Sequence, residues 1–159
     1  EIGSGLVGSE MCIRDRIITL DIFDKIITGE IPSYKVYEDE DVLAFLDISQ
    51  VTPGHTLVVP KKNVDNIFDY DDETAKKVLL KLPVIARAIK ASDDKITGLN
   101  VQSNNGPSAG QTVIHSHWHL IPRYDDDNLN SVLAPTIDNS AHFSAEQYQA
   151  IADSIASQF

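Results

Sequence analysis

The sequence predicts an α+β domain with a mainly antiparallel sheet and helices on one face. Short β-rich runs are joined by turn residues, which indicates hairpin-linked strands. A stripe of apolar residues then recurs at intervals of three and four, which indicates a long amphipathic helix. A capping box precedes a second apolar stripe near the C-terminus. A length of 159 residues suits one domain with its own core.

The first half of the chain predicts one short helix and three strands. Residues 22–28 form the helix, which is expected to end at Gly29. The run YKVYEDEDVLAFLD predicts a hairpin whose turn is the acidic stretch 38–41. The run HTLVVP predicts a third strand after a Pro-Gly turn.

The second half predicts two helices and two further strands. One buried helical stripe runs through Ala75, Val78, Leu79, Leu82, Ile85, Ala86 and Ile89. Pro83 lies within this stripe and is expected to bend the helix. The runs GLNVQS and HSHWHLIPR predict strands on either side of the loop 104–112. Ser144 and Gln147 form the capping box of a C-terminal helix.

Composition excludes several function classes. Acidic residues outnumber basic residues by 24 to 13, so the net charge of −11 repels nucleic-acid polymers and anionic lipid. No apolar run approaches the ~20 residues that cross a bilayer, so no membrane association is expected. Cys12 is the single cysteine, which excludes a disulfide framework and a thiolate metal site and suits a reducing cytoplasm.

Residues 1–16 are interpreted as a non-native, disordered leader, and the domain is expected to span residues 17–159. The segment EIGSGLVGSEMCIRDR has neither a signal-peptide core nor a regular period. Back-translation of residues 6–15 gives a string that resembles a transposon sequencing adapter, which suggests translated adapter sequence. Met11 is the single methionine, so the remainder lacks a start of its own. The alternative is a natural flexible leader, and resequencing the source gene across this junction distinguishes the two.

Three of the five histidines occupy alternate positions, 115, 117 and 119. On a strand, alternate side chains share a face, so the three imidazoles are expected to lie side by side. Imidazole titrates near neutral pH and serves as nucleophile, general acid or metal ligand. The upstream loop NNGPSAGQT offers small residues whose amides can hold phosphate oxygens. Together they suggest a histidine that attacks phosphorus while amides stabilise the developing charge.

In these motifs the chain resembles the histidine triad (HIT) family. The match runs from about Ile22 to Arg123 and includes IFDKIITGEIPSYKVYEDEDVLAFLDISQVTPGHTLVVPKK and NNGPSAGQTVIHSHWHLIPR. It is closest to the Hint-like branch of purine nucleoside phosphoramidate hydrolases. The resemblance implies a HIT-like fold with about five antiparallel strands, a homodimer with a continuous sheet, a purine nucleotide ligand carrying an AMP or GMP moiety, and no cofactor.

The resemblance also implies roles for individual residues. His117 would attack the α-phosphorus and form a nucleotidyl-imidazole intermediate, which water converts to the nucleoside monophosphate. His119 would contact the phosphate and protonate the leaving group, while His115 and His55 orient the other rings. The implied phosphate and leaving-group contacts are Asn104, Gln111 and Thr112, the implied ribose contact is Asp47, and the implied apolar base pocket is Ile22, Phe23, Ile26, Phe45 and Ile48.

Simpler structural roles compete with several of these assignments. Core packing is as strong an expectation as base contact for each apolar residue of the pocket. Asp47 has the alternative role of capping a turn before Ser49. Trp118 is expected in the core on the helix-facing side of the sheet, and Ser116, which replaces a usual apolar residue, is expected to face away from the histidines.

No metal site is expected. Many bacterial relatives carry a Cys-x-x-Cys motif before the first helix and a histidine after PKK, and these bind a structural zinc together with the first triad histidine. The corresponding residues here are Asp21, Asp24 and Asn63. Two carboxylates, an amide and His115 make a poor tetrahedral zinc site, since structural zinc favours thiolate and imidazole ligands.

The leading function is a hydrolase or transferase that acts at the α-phosphorus of nucleoside phosphoramidates or related nucleotides, and three other functions stay open beside it. The first is hydrolysis of dinucleoside polyphosphates, which needs the same chemistry at phosphorus. The second is a metal-dependent hydrolase that uses the histidine cluster, since three histidines also build catalytic zinc sites. The third is a nucleotide-binding regulatory module. Chelation tests the second function, and a His117→Ala variant separates turnover from binding.

Overall fold

The computed structural model describes residues 10–13, 16–19, 21–129 and 137–159. In chain order its strands and helices are β1 (Glu10–Ile13), β2 (Arg16–Thr19), α1 (Ile22–Thr28), β3 (Lys35–Glu38), β4 (Val42–Leu46), β5 (Thr56–Pro60), α2 (Asp72–Leu79), α3 (Lys81–Ser92), β6 (Ile96–Gln102), β7 (Trp118–Tyr124) and α4 (Ala145–Ala156). Short 3₁₀ turns lie at Ile67–Asp69, Pro107–Ala109 and Ser140–His142. Among the helices of these residues, none has the length and apolar character needed to cross a membrane.

Strands β3 to β7 form one antiparallel sheet in the order β3-β4-β5-β7-β6. β4 and β5 pair from Val42 opposite Pro60 to Leu46 opposite Thr56. β7 lies between β5 and β6, so that His119 faces Leu57 on one side and Gln102 on the other. This five-stranded antiparallel sheet with helices confirms the predicted α+β fold class.

The side chains of β4 alternate between two apolar cores. Val42, Ala44 and Leu46 pack with residues of α2, α3 and α4 on one face of the sheet. Leu43 and Phe45 pack on the other face with residues of α1. The prediction that all helices lie on one face was therefore wrong, because α1 covers the face opposite to α2, α3 and α4. All five residues of β4 are buried, as expected for a strand that is covered on both sides.

Helix boundaries follow local sequence signals with one exception. Gly29 ends α1 in the left-handed region at φ 87°, a conformation that glycine adopts without a steric penalty. The long amphipathic helix is divided at Leu80 into α2 and α3 rather than only bent. Pro83 has no N–H to donate to the carbonyl of Leu79, so the helical hydrogen-bond pattern is interrupted there.

Strands β1 and β2 form a separate two-stranded antiparallel sheet, with Glu10 opposite Thr19 and Ile13 opposite Arg16. These strands include residues 10–13 and 16 of the proposed leader, for which the sequence predicted no regular structure. β1 pairs with β2, in which Ile17, Ile18 and Thr19 are β-branched residues that favour strands. The rest of the proposed leader, residues 1–9, 14 and 15, lies outside the described residues, and its origin as translated adapter stays a prediction.

Candidate active site

Four imidazoles converge beside the N-terminal end of β7. The ring centroids of His117 and His119 are 5.2 Å apart, as are those of His55 and His119. β7 begins only at Trp118, so the prediction that all three triad histidines lie on one strand was wrong. His115 and His117 precede the strand, in a segment where the amide of Ser116 donates to the carbonyl of Val64 at 2.8 Å. The rings of His55, His117 and His119 nevertheless lie next to one another, although His117 lies outside the strand.

A hydrogen-bond chain fixes the tautomers of His55 and His119. The backbone N–H of Val51 donates to His55 Nδ1 at 3.1 Å, so this nitrogen carries a lone pair and the ring proton lies on Nε2. His55 Nε2 is 2.9 Å from His119 Nδ1, which must then accept. The proton of neutral His119 therefore lies on Nε2. Burial, followed by the neighbouring His55 and His117 rings, lowers the pKa of His119, which keeps it neutral near pH 7.

The ring proton of neutral His117 lies on Nδ1, whereas that of His119 lies on Nε2. His117 Nδ1 donates to the carbonyl of His115 at 2.8 Å, so the lone pair of the neutral ring lies on Nε2. Among the described residues no group is hydrogen-bonded to this nitrogen. The edge of Phe23 packs against the ring with centroids 5.0 Å apart, and only 6% of His117 is exposed. Burial holds the pKa of His117 below its ordinary value and is assisted by the charge of His115, although the hydrogen bond to the carbonyl opposes this shift.

His115 is fully buried and lies between two acceptors. Its Nδ1 is 3.1 Å from Asp21 Oδ2, and its Nε2 is 2.9 Å from the carbonyl oxygen of Pro60. Burial works to lower the pKa of His115, but the hydrogen bonds to Asp21 and Pro60 outweigh it and raise the pKa overall.

The atoms around His115 do not fit the structural zinc site of the family. Asp21, Asp24 and His115 bring one potential ligand atom each within 4.8 Å of one another. However, Asp24 Oδ2 accepts from the side-chain N–H of Asn63 at 2.7 Å, so this amide presents a donor to the cluster. Both nitrogens of His115 already face acceptors. Two carboxylates and one imidazole also lack the thiolates that structural zinc favours.

The positions of possible ligand atoms also test the alternative of a catalytic metal held by the three triad histidines. Within the described part of the chain, two groups of possible ligand atoms occur, Asp47 with His55 and His119, and Asp21 with Asp24 and His115. Neither group contains all three triad histidines. The alternate histidines therefore do not form the three-imidazole set that the metal-dependent alternative requires.

Asp47 caps a turn, as the simpler alternative expected, while its contact with a ribose stays a prediction. Its Oδ1 accepts from the amide and hydroxyl of Ser49 at 2.8 and 2.7 Å, which caps a tight turn. Its Oδ2 faces the histidine pair, 3.6 Å from His55 Nε2 and 3.8 Å from His119 Nδ1. This carboxylate therefore favours positive charge on the pair and keeps one oxygen free of the turn.

The loop between β6 and β7 is braced from within by Gln111. Its side-chain oxygen accepts from the amide of Gly106 at 2.8 Å, and its Nε2 donates to the carbonyls of Asp65 and Val113. The amides of Ala109, Gly110 and Gln111 also donate within the loop.

The other two residues expected to hold phosphate lie nearby. Thr112 is exposed, and its amide donates to no described group. Asn104 is half-buried, and its side chain makes long contacts of 3.4 and 3.5 Å with the carbonyl of Gly110 and the side chain of Gln102. The Thr112 amide is therefore one of the loop amides left available to a phosphate oxygen. Phosphate contacts by these residues stay predictions.

The five residues expected to form the base pocket divide into two groups. Phe23, Ile26 and Phe45 are buried together in the core on the α1 side of the sheet. Ile22 and Ile48 are 49% and 53% exposed. The side chains available to a base are therefore these two isoleucines. Phe23 instead packs its ring edge against His115 and His117.

Sequence reasoning missed the residues that hold the loop 47–55 in place. Gln50 is fully buried, adopts a φ of 41°, and donates Nε2 to the carbonyls of Asp47 and His55. The side chain of Asn139 donates to the carbonyl of Gln50 at 2.8 Å from the C-terminal segment. A buried glutamine in a turn has no distinctive pattern in a single sequence, so no signal identified it.

A second missed contact lies on the other face of the sheet. The hydroxyls of Tyr70 and Ser116 are 2.8 Å apart, and Trp118 Nε1 donates to Tyr70 at 3.1 Å. Trp118 packs against the core formed with α2, α3 and α4, as expected. The polar residue at position 116 is therefore satisfied by a partner from the segment before α2, which stabilises the chain between His115 and His117.

Comparisons with known proteins show which family the chain resembles. A family model described as the HIT domain matches residues 28–126. The Protein hit of Bacillus subtilis (strain 168) is 52% identical over 136 residues, which are 85% of this chain and 91% of that protein. An adenylylsulfatase of Arabidopsis thaliana is 38% identical over 111 residues, or 68% of this chain and 54% of that protein. An adenosine 5'-monophosphoramidase of Candida albicans is 36% identical over 108 residues, or 66% of this chain and 71% of that protein.

Solved structures share the fold. A Hit-like protein from Bartonella henselae, described as involved in cell-cycle regulation, superposes with a TM-score of 0.73 at 38% identity, over 87% of this chain and 96% of that one. A Zn-bound histidine triad family protein from Mycobacterium smegmatis gives a TM-score of 0.65 at 30% identity, over 86% of this chain and 94% of that one.

Proposed function

Because this chain belongs to the HIT family, we propose that it is a nucleotide hydrolase that acts at the α-phosphorus of purine nucleoside phosphoramidates. One observation carries the proposal. The His117 ring offers an unprotonated Nε2 while its Nδ1 is held by a backbone carbonyl, and His119 carries its proton on Nε2. A nucleophile and a proton donor thus lie 5.2 Å apart between ring centroids. The relatives named as adenylylsulfatase and adenosine 5'-monophosphoramidase act on adenylyl compounds by name, which supports a nucleotide substrate.

The proposed reaction has two steps. In the first, His117 Nε2 forms a bond to the α-phosphorus, and the bond from phosphorus to the leaving nitrogen breaks. The neutral His55–His119 pair first takes up a proton from solvent, and the Asp47 carboxylate facing the pair stabilises this protonated form of the pair. That proton then passes from His119 Nε2 to the leaving amine, which leaves the pair neutral again. In the second step, water attacks the nucleotidyl-imidazole, returns a proton to the pair, and releases the nucleoside monophosphate and His117.

The carbonyl of His115 contributes to the first step. When His117 bonds to phosphorus its ring becomes positively charged, and the hydrogen bond from Nδ1 to this carbonyl strengthens as the charge develops. The same bond prevents the ring from rotating, so Nε2 stays aimed at the substrate.

Substrate recognition is assigned to residues around the imidazoles. Thr112, Gln111 and Asn104 line the phosphate and leaving-group side, with Thr112 as the available amide and hydroxyl. Asp47 Oδ2 accepts from the ribose hydroxyls, and Ile22 and Ile48 contact the purine by apolar area. No cofactor or metal ion takes part in the proposed steps.

We also propose that the chain forms a homodimer and acts in the cytoplasm. Among the described strands, β6 is paired on one side only, with β7. Val101 on this strand and the nearby loop residues Ile67, Phe68 and Ile114 are exposed apolar residues. An open strand edge with apolar side chains supports pairing with a second copy.

A substrate screen tests the proposed activity. Adenosine and guanosine 5'-phosphoramidates are compared with dinucleoside polyphosphates by release of the nucleoside monophosphate. We expect phosphoramidates to give the higher kcat/KM, and turnover to persist after chelation. A preference for polyphosphates, or activity that chelation abolishes and zinc restores, contradicts the proposal.

The His117→Ala variant separates catalysis from binding. We expect loss of turnover with the fold and the binding of AMP retained, because the alanine removes the attacking imidazole and leaves the other binding residues in place. A variant that still turns over excludes His117 as the nucleophile. A wild type that binds AMP but hydrolyses none of these nucleotides supports the regulatory module instead.

A further inference from the structure

The start of α1 brings two carboxylates to the buried His115 ring. Asp21 is the N-cap of α1, and its Oδ1 accepts from the amide of Asp24 at 2.8 Å. Asp24 returns the contact, since its Oδ2 accepts from the amide of Asp21 at 3.2 Å. These reciprocal bonds fix both side chains. The second oxygen of each then faces His115 Nδ1, at 3.1 Å for Asp21 and 3.5 Å for Asp24.

The surroundings of His115 require a proton on both ring nitrogens. Nδ1 faces the Asp21 carboxylate, and Nε2 faces the carbonyl of Pro60, which can only accept. A neutral imidazole has one N–H and would leave one of these contacts without a hydrogen. The ring is fully buried, so no solvent molecule can take the place of that missing hydrogen bond.

The groups packed around His115 balance a positive charge. From α1 come Asp21, Asp24 and the edge of the Phe23 ring, whose centroid lies 5.7 Å from that of His115. From β5 comes the carbonyl of Pro60, and from the loop after β5 the side-chain amide of Asn63 donates to Asp24. Burial works to raise the pKa of the Asp21 carboxyl, but the hydrogen bonds from His115 and Asp24 hold it below the usual value.

The backbone of His115 links this ion pair to the reacting ring. Its carbonyl accepts from His117 Nδ1 at 2.8 Å and so fixes which nitrogen of His117 carries the lone pair. The next amide, at Ser116, is tied to the carbonyl of Val64 at 2.8 Å. A displacement of the His115 ring would therefore move the carbonyl that aims His117.

We propose that Asp21 is a positioning residue that, with Asp24 behind it, holds His115 as a buried imidazolium and thereby orients His117 without a metal ion. These side chains do not suit zinc, because the Asp21–His115 ion pair holds His115 in place of a metal ion. Only the effect on turnover rests on the proposed function; the protonation state of His115 does not.

The protonation state is tested in the wild-type protein with ¹⁵N-labelled histidine. At about pH 8, above the ordinary imidazole pKa, NMR is expected to find both nitrogens of one histidine protonated. Chelation with EDTA is expected to leave this signal and the thermal midpoint unchanged. A spectrum in which all histidines are neutral at this pH, or a midpoint that falls on chelation and recovers with zinc, overturns the proposal.

The variant Asp21→Asn tests positioning, because asparagine can still cap α1 but carries no charge. We expect loss of the doubly protonated signal and a fall in kcat of about 10- to 100-fold with KM nearly unchanged. Asp71→Asn is the matched control, since Asp71 caps α2 by accepting from Thr74 at 2.8 Å and contacts no histidine. Equal kcat values in the two variants overturn the proposal.

If Asp21→Asn does not fold, the wild-type spectrum still decides the protonation state. If the wild type hydrolyses no nucleotide, the proposed function fails while the spectrum and the chelation experiment still test the ion pair. The failures of the two proposals are therefore distinguishable.

Discussion

His117 and His119 present different atoms to the same space because their Nδ1 atoms face different partners. His117 Nδ1 faces a carbonyl and must donate, whereas His119 Nδ1 faces the protonated nitrogen of His55 and must accept. One ring is thereby left with an outward lone pair and the other with an outward N–H. In the proposed reaction, two identical side chains thus take the roles of nucleophile and proton donor because their hydrogen bonds differ.

The lowered pKa of His117 predicts how the activity depends on pH. Burial first, and the charge of His115 second, lower its pKa, so the lone pair persists below the ordinary imidazole value of 6.5. Activity should therefore be lost on acidification only at a pH below that value. The groups facing the ring are Phe23, His119 and the carbonyl of His115, with the charges of Asp47 and Asp21 farther away.

A profile of kcat/KM against pH measures this limb. We expect the acidic limb to fall below pH 6.5, the ordinary pKa of histidine. A limb at or above that pH indicates a ring whose pKa is not lowered, and it would contradict the buried, neutral state of His117. A thermal midpoint at each pH serves as the control for unfolding.

Exposure predicts opposite effects for two apolar residues that were first assigned to one pocket. Ile48→Ala should raise KM for the nucleotide and leave stability nearly unchanged, because the side chain is 53% exposed. Phe45→Ala should lower the free energy of unfolding by about 3–5 kcal/mol, because its side chain fills the core beside α1. Urea denaturation and steady-state kinetics on both variants provide the measurements. A large stability loss in Ile48→Ala contradicts this division.

The sequence identified the histidine cluster but not the protonation state of each ring. The alternate spacing at positions 115–119 and the glycine-rich loop are local patterns, so they are visible in the chain itself. The partner of His119 is 64 positions away, and the acceptor of His115 Nε2 is 55 positions away. Neither contact follows from spacing, because each depends on how β5 and β7 are brought together in the sheet.

At the level of helices and strands, local chemistry was the reliable guide. The glycine that ends α1 and the capping box of α4 were both predicted and both occur. The start of β7 was not predicted correctly, because alternation of histidines also suits an extended segment outside a ladder. The side of the sheet taken by α1 was missed as well, since the short helix carries apolar residues that suit either face.

The capping box of α4 gives a prediction at this scale. Ser144 accepts from the amide of Gln147 at 3.1 Å, so Ser144→Ala should cost about 1 kcal/mol of stability. The control is Ser157→Ala at the other end of the helix, where an exposed hydroxyl donates to Ser154 and the expected change is below about 0.5 kcal/mol. Urea midpoints of the two variants are compared. Equal losses of stability in the two variants would contradict a stabilising role for the Ser144 cap.

For the whole molecule, the edge of the sheet at β6 predicts assembly. We expect light scattering to give twice the chain mass of 17.5 kDa. Val101→Asp should shift the protein to monomer, because this side chain is 52% exposed on the edge strand and a charge there opposes pairing. Phe159→Asp, at a residue 50% exposed beside β3 on the other edge, should leave the dimer intact. A monomeric wild type contradicts the prediction.

Composition described the whole molecule only in outline. The length predicted one domain, and the acidic balance argued against polymer ligands, but neither indicates which surface meets a second copy. The C-terminal segment shows why. Asn139 and Tyr148 reach the loop that carries Asp47 and Ile48, at the carbonyls of Gln50 and Ile48, and contacts of this kind arise only once the chain is folded.

The most direct measurement is mass spectrometry of the enzyme quenched during turnover of an adenosine phosphoramidate, under alkaline denaturing conditions that preserve a phosphorus–nitrogen bond. We predict a fraction of the chain that is heavier by one nucleotidyl group, with the added mass on the peptide containing His117 and none in His117→Ala. Turnover without such an adduct, or an adduct on another residue, would contradict the assignment of His117 as nucleophile.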